Sequence, residues 1–118
     1  MADITVRLAA EAEADLQGIY ETRLAQRGSD GADGADALLD SLIALIETLA
    51  LFPLRGPVPS ELAALGIAAW RQLSLPPYRV IYAVEAGPEA QVVTIALVAD
   101  SRRDFRTLLQ NRLLAPRC

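Results

Sequence analysis

The 118-residue chain contains no histidine and no lysine, and its one cysteine, Cys118, is the last residue. Each absence closes a route. Without histidine there is no side chain whose ordinary pKa suits general-base work near neutral pH, and the commonest metal ligand is missing. One cysteine makes no disulfide framework and no thiolate metal site. No apolar run nears the roughly 20 residues that span a bilayer. The N-terminus lacks the charged-then-apolar pattern of a leader. The default expectation is a cytoplasmic protein with no membrane contact, no metal and no cofactor. The missing lysine has a bland reading, because a GC-rich coding bias favours arginine along with alanine and glycine.

What is present is a single domain over residues 1–118, long enough for a real core. It is 53% hydrophobic, which is high for a soluble chain. Residues 1–50 hold ten acids against three arginines, and residues 51–118 hold eight arginines against five acids. The net charge of −4 therefore hides an acidic half and a basic half. Overall acidity argues against a protein that wraps nucleic acid, while the basic half permits a local contact.

Ile4, Val6 and Leu8 alternate with Thr5 and Arg7, the pattern of a short strand. From Ala9 the spacing becomes three and four. Ala9, Ala12, Leu16, Ile19, Tyr20 and Leu24 form the stripe of an amphipathic helix that Gly28 stops. Glu11, Glu13 and Asp15 sit in its first turns, where the helix dipole favours acids, and they read as solvated. The connector at residues 29–36 (SDGADGAD) repeats Gly-Ala-Asp but has no phosphate-cradling glycine pattern. A second helix is expected over residues 36–51, ended by Pro53. Leu38, Leu39, Leu42, Ile43, Leu45, Ile46 and Leu49 give it a wide apolar face. Two helices joined this closely should pack as an antiparallel hairpin. One helical turn is expected at residues 60–65, with Ser60 as cap and Gly66 as stop.

The last third reads as three strands and a basic helix. The strands are residues 67–75, carrying Trp70 and Arg71, then 78–84 (YRVIYAV) and 92–98 (VVTIALV). Gly87 and Pro88 lie in the turn between the last two, which predicts an antiparallel hairpin. The final helix should start from a Ser101 cap with Asp104 three residues on. It would carry Arg102, Arg103, Arg106 and Arg112 and bury Phe105, Leu108, Leu109 and Leu113. The order strand, helix, helix, strand, strand, strand, helix is α+β. The expected architecture is a mostly antiparallel sheet of about four strands, with the helical hairpin on one face and a short C-terminal helix.

This order and the wording of the strands resemble the RelE/ParE superfamily, the plasmid-stabilising toxins of type II toxin–antitoxin systems. The residues that carry the resemblance are Ala14-Asp15-Leu16 with Ile19-Tyr20, then Phe52-Pro53 and Gly56, then Arg71-x-Leu73. They continue with Pro77-Tyr78-Arg79-Val80-Ile81-Tyr82, then Asp100-x-Arg102-Arg103-Asp104 leading into Leu108-Leu109. The resemblance implies a growth-inhibiting toxin silenced by a cognate antitoxin, with a homodimer or a higher toxin–antitoxin assembly left open. It also implies one of two mechanisms. RelE-like members cut messenger RNA in the ribosome. ParE-like members poison DNA gyrase and make no cut of their own. An inactive remnant that only binds antitoxin is a third reading.

RNA cleavage through the 2′-hydroxyl needs a proton acceptor, cations for the phosphate and a donor for the leaving oxygen. By the resemblance, Arg79 and Arg102 stand where RelE-like toxins hold the scissile phosphate, and Arg71 stands near a basic position. Leu108 falls where those toxins have a catalytic tyrosine, and Leu73 where they have a second basic residue. Their frequent C-terminal histidine is missing. The expectation is therefore a gyrase-directed binding protein and not an enzyme. If the chain is an endoribonuclease, its residues are Arg71, Arg79 and Arg102. Arg102, Arg103, Arg106 and Arg112 form the expected surface for an acidic antitoxin segment. Arg79 has a competing structural reading, as a buried arginine paired with an acid. Arg102, Arg103 and Asp104 have one as a cap with surface ion pairs. Trp70, Tyr78 and Tyr82 read as core or rim aromatics.

Overall fold

A computed structural model describes residues 3–87 and 90–114. The elements run β1 (Asp3–Leu8), α1 (Ala10–Arg27), α2 (Ala35–Glu47), a single helical turn α3 (Ser60–Ala63), β2 (Arg71–Leu75), β3 (Tyr78–Ala86), β4 (Ala90–Asp100) and α4 (Phe105–Leu109). A 3-10 turn at Thr48–Ala50 continues α2, and a π-helical turn at Gln110–Leu114 continues α4. The expected order holds. Pro88 and Glu89 of the expected hairpin turn, and Cys118, lie outside the described residues. Among the described residues no helix is long and apolar enough to cross a membrane.

The four strands lie in the order β1-β4-β3-β2. β3 is antiparallel to both neighbours, so the expected hairpin forms the middle of the sheet. β1 joins β4 in parallel, from Asp3 opposite Ala90 to Leu8 opposite Ile95, which makes the sheet mixed.

β3 reads as a continuous apolar run because both of its faces are covered. Val80 and Tyr82, with Leu73, Val93, Ile95 and Val98, pack beneath Ala12 and Leu16 of α1 and Leu42 and Ile46 of α2. On the other face Ile81, Leu97 and Ala99 pack with Leu62, Phe105 and Leu109. Ile81 pairs with Leu97 but Tyr82 pairs with Ile95, so Ala96 is an extra residue in β4. Such a bulge switches which residues face which side. Odd positions, Val93 and Ile95, face the helices before it, and Val98 faces them after it.

Three expected elements differ in detail for local reasons. The second helix keeps its span, but its last turn tightens into the 3-10 form, with the Thr48 hydroxyl donating to the Leu45 carbonyl at 2.6 Å. Pro59, not Ser60, precedes α3, and the Ser60 side chain caps nothing. The strand expected from residue 67 begins at Arg71, because Ile67 N–H turns back to the Leu62 carbonyl at 2.9 Å after Gly66 adopts φ 74°.

Candidate functional site

The basic residues gather where β4 ends, but not on one helix. Ser101 N–H donates to the Pro77 carbonyl at 2.6 Å, which ties the chain into a turn. The Asp100 carboxylate accepts from Arg102 N–H at 2.8 Å and from Arg102 Nε at 3.0 Å. The Arg102 side chain holds the Asp100 carboxyl down to about 2. The helix therefore starts later than expected. Its cap is Asp104, not Ser101, and Asp104 accepts from Thr107 N–H at 3.3 Å and from the Thr107 hydroxyl at 2.8 Å. Arg102 and Arg103 sit in the turn, Arg106 on α4 and Arg112 on the π-helical turn.

These four arginines are not equally available. Arg103 and Arg106 are exposed and have no salt-bridge partner among the described residues. Arg103 stands at the edge of a groove of about 370 Å³ between α1 and the ends of β3 and β4. Ala14, Gly18 and Thr22, four apart on α1, form one wall, and Tyr78, Val98 and Asp100 form the other. The small side chains share one helix face and leave the groove open.

Arg112 turns inward instead. β1 stops at Leu8, level with Ile95, while β4 runs on to Asp100. Side chains meet the β4 backbone beyond that point. Val98 N–H donates to Asp15 Oδ2 at 3.0 Å, and Arg112 Nη2 donates to the Ala96 carbonyl at 2.8 Å. Arg112 also grips both Asp15 oxygens, at 3.2 and 3.0 Å. Asp15 is thus not the solvated helix acid its position suggests, because it is half-buried between a strand and an arginine.

Arg71 and Arg79 lie on opposite faces of the sheet. Arg71 pairs with Tyr82 and shares the helix-covered face with Leu73. Its Nη1 donates to the Gly56 carbonyl at 2.8 Å and to that of Leu54 at 3.3 Å. Arg79 pairs with Ala99 and points to the α4 side. Its Nη1 and Nη2 donate to the two Glu61 oxygens at 2.7 and 2.9 Å, and its Nε donates to Gln72 Oε1 at 2.9 Å. The guanidinium carbon lies 3.9 Å from the centre of the Phe105 ring. Hydrogen bonding from Arg79 pulls the Glu61 carboxyl down to about 2. Leu108 is half-buried against the cluster around Phe105 and Leu109. Glu61 and Asp15 are the residues that pattern reading misses, since both look like ordinary acids near a helix start.

A mixed four-stranded sheet with a helical hairpin on one face, a short helix on the other and a basic strand end is the architecture on which the chain meets the toxins of the RelE/ParE superfamily. Residues 6–105 match the family described as ParE toxin of type II toxin-antitoxin system, parDE, and the chain belongs to that family. Two solved structures share the fold. One is the chromosomal ParDE toxin–antitoxin system from P. aeruginosa, 18% identical with a TM-score of 0.63, matched over 82% of this chain and 95% of that one. The other is the toxin–antitoxin complex RelBE2 from Mycobacterium tuberculosis, 20% identical with a TM-score of 0.55, over 84% and 99%. No curated protein matches the chain.

Proposed function

We propose that this type II toxin arrests growth in the cytoplasm by binding and inhibiting DNA gyrase, without cutting RNA. The observation that carries this reading is the state of Arg79. An arginine that holds a scissile phosphate must offer an open fork. Here both Glu61 oxygens fill that fork and Phe105 covers its face. Freeing Arg79 for RNA would strand Glu61. Arg71, on the other face of the sheet, cannot join it at one phosphate. The absence of histidine, the leucine at position 108 and a net charge of −4 argue the same way, since docking on ribosomal RNA rewards strong positive charge.

The cognate antitoxin, in this reading, lays an acidic segment along the basic end of the sheet. Asp100 engages Arg102 and Asp15 engages Arg112, so Arg103 and Arg106 supply most of the attraction. Arg103→Glu with Arg106→Glu should weaken antitoxin binding roughly 10-fold or more. Unchanged affinity would place the antitoxin elsewhere. For the mechanism, the purified toxin should inhibit supercoiling by purified gyrase and leave messenger RNA ends in induced cells unchanged. Codon-phased cuts that vanish in Arg79→Ala, alongside normal supercoiling, would instead make it a ribonuclease.

A further inference from the structure

Between α2 and α3 the chain turns outward. Leu51, Phe52 and Leu54 are 75%, 64% and 58% exposed. Single exposed apolar residues need no explanation, but three within four residues do.

This segment is not loose. Leu51 and Phe52 N–H both donate to the Thr48 carbonyl, at 3.2 and 3.0 Å, and Arg55 Nη1 donates to the Thr48 hydroxyl at 2.8 Å. Arg71 holds the Leu54 and Gly56 carbonyls from below. The buried Tyr82 hydroxyl accepts from Gly56 N–H at 3.0 Å, and Gln72 N–H donates to the Pro57 carbonyl at 2.9 Å. Gly56 approaches so closely that a Cβ there would fall 2.1 Å from the Gln72 carbonyl oxygen. The backbone shape is set before any partner arrives, which lowers the cost of binding.

Its place in the fold separates it from the basic end. The loop is pinned to the start of β2, whereas Arg103 and Arg106 follow the end of β4. Both strands are antiparallel to β3, so they run the same way. The loop therefore lies at the β2 edge, level with the middle of β3, while the basic turn lies at the end of β4 on the other side of β3.

We propose that Leu51, Phe52 and Leu54 are the contact by which the toxin grips its protein target, entering an apolar pocket bordered by carboxylates. The charge of the segment selects that rim, because residues 48–60 hold Arg55 and no acid. Three side chains are too few for a stable symmetric dimer, which buries about 800 Å² per partner. A small apolar cluster of this kind is what anchors a larger complex. The inference rests on the gyrase reading for the identity of the target only.

The test is Phe52→Ser with Leu54→Ser in the full chain. Both side chains are in solvent, so the melting temperature should match wild type. The half-inhibitory concentration against purified gyrase should rise roughly 30-fold or more. Growth arrest on induction should be lost, and affinity for the cognate antitoxin should stay within about twofold of wild type. Arg55→Glu, which keeps the apolar side chains and repels an acidic rim, should weaken inhibition about 10-fold, and it decides the matter if the double variant folds poorly. Growth arrest at wild-type strength overturns the proposal. So does a matching loss of antitoxin affinity, or a wild-type dimer that the variant dissolves. If wild-type toxin leaves gyrase untouched, the gyrase reading fails and growth arrest alone decides. Arrest lost in the folded variant keeps the loop as the target contact, and arrest retained removes it.

Discussion

Asp15 and Arg112, 97 residues apart in sequence, close a two-pronged ion pair at 3.2 and 3.0 Å beside the stretch of β4 that runs on past the end of β1. The pair ties α1 to the last described turn of the chain and gives the β4 backbone its hydrogen-bond partners. Glu11 adds little. It lies 3.5 Å from Arg112 Nε without hydrogen-bond geometry and is largely exposed, where ion pairs are weak.

Asp15→Ala and Arg112→Ala should therefore each lower stability by about 1.5–3 kcal/mol, the range for hydrogen bonds to charged groups. The double variant should lose less than the sum, because each single change already breaks the pair. Urea denaturation of the four proteins gives the coupling directly. Strict additivity would mean that the two residues act apart.

The sequence shows why this pair is hard to foresee. The strands at 78–84 and 92–98 announce themselves by composition, and the helix stripes by spacing, because those signals are local. Asp15 carries only the signal of an acid near a helix start, and its partners, Val98 and Arg112, are 83 and 97 residues away. The orientation of β1 is equally silent, since alternation in Ile4, Val6 and Leu8 marks a buried face and not a neighbour. Arg71 and Arg79 look alike in the strands because β3 is apolar on both sides, so no pattern says which face each takes. Arg79 does have the acidic partner that an arginine in an apolar strand suggests, but Glu61 comes from a single helical turn that fixes no long-range contact by itself.

The helical hairpin supplies much of the core. Leu42 is fully buried and Ile46 is 6% exposed, both over the face of Tyr82 and Ile95. Leu42→Ala and Ile46→Ala should each cost about 2–5 kcal/mol, as cavity-forming changes do. Ile43, on the outer face and 39% exposed, should tolerate alanine with a loss under about 0.5 kcal/mol. Equal melting temperatures for Leu42→Ala and Ile43→Ala would refute the packing of α2 described above.

Acid should weaken the fold through Glu61. Its carboxyl sits at about 2 in the folded chain, against an ordinary value of 4.5, because Arg79 hydrogen-bonds the charged form. The unfolded chain thus takes up a proton first. The stabilisation is complete above 4.5 and drains away as pH falls toward about 2. Asp100 shifts in the same direction under Arg102, but at the surface, where solvent screens the effect. Urea midpoints followed down this window should fall steeply for wild type and more gently for Glu61→Gln, which should already be weaker at neutral pH. Parallel curves would remove the Glu61 pair as the source.

The parallel seam between β1 and β4 sets the order in which the molecule can close. β1 is synthesised well before the strand it pairs with, which starts at Ala90 and ends at Asp100. The clasp on Asp15 comes later still, at Arg112. Pairings this distant form late and slowly. A growing chain therefore holds a helical hairpin over an unfinished sheet until β4 and Arg112 emerge. A chain interrupted before β4 has neither the closed sheet nor its basic end. Closure thus waits for β4 and for the arginine that follows it.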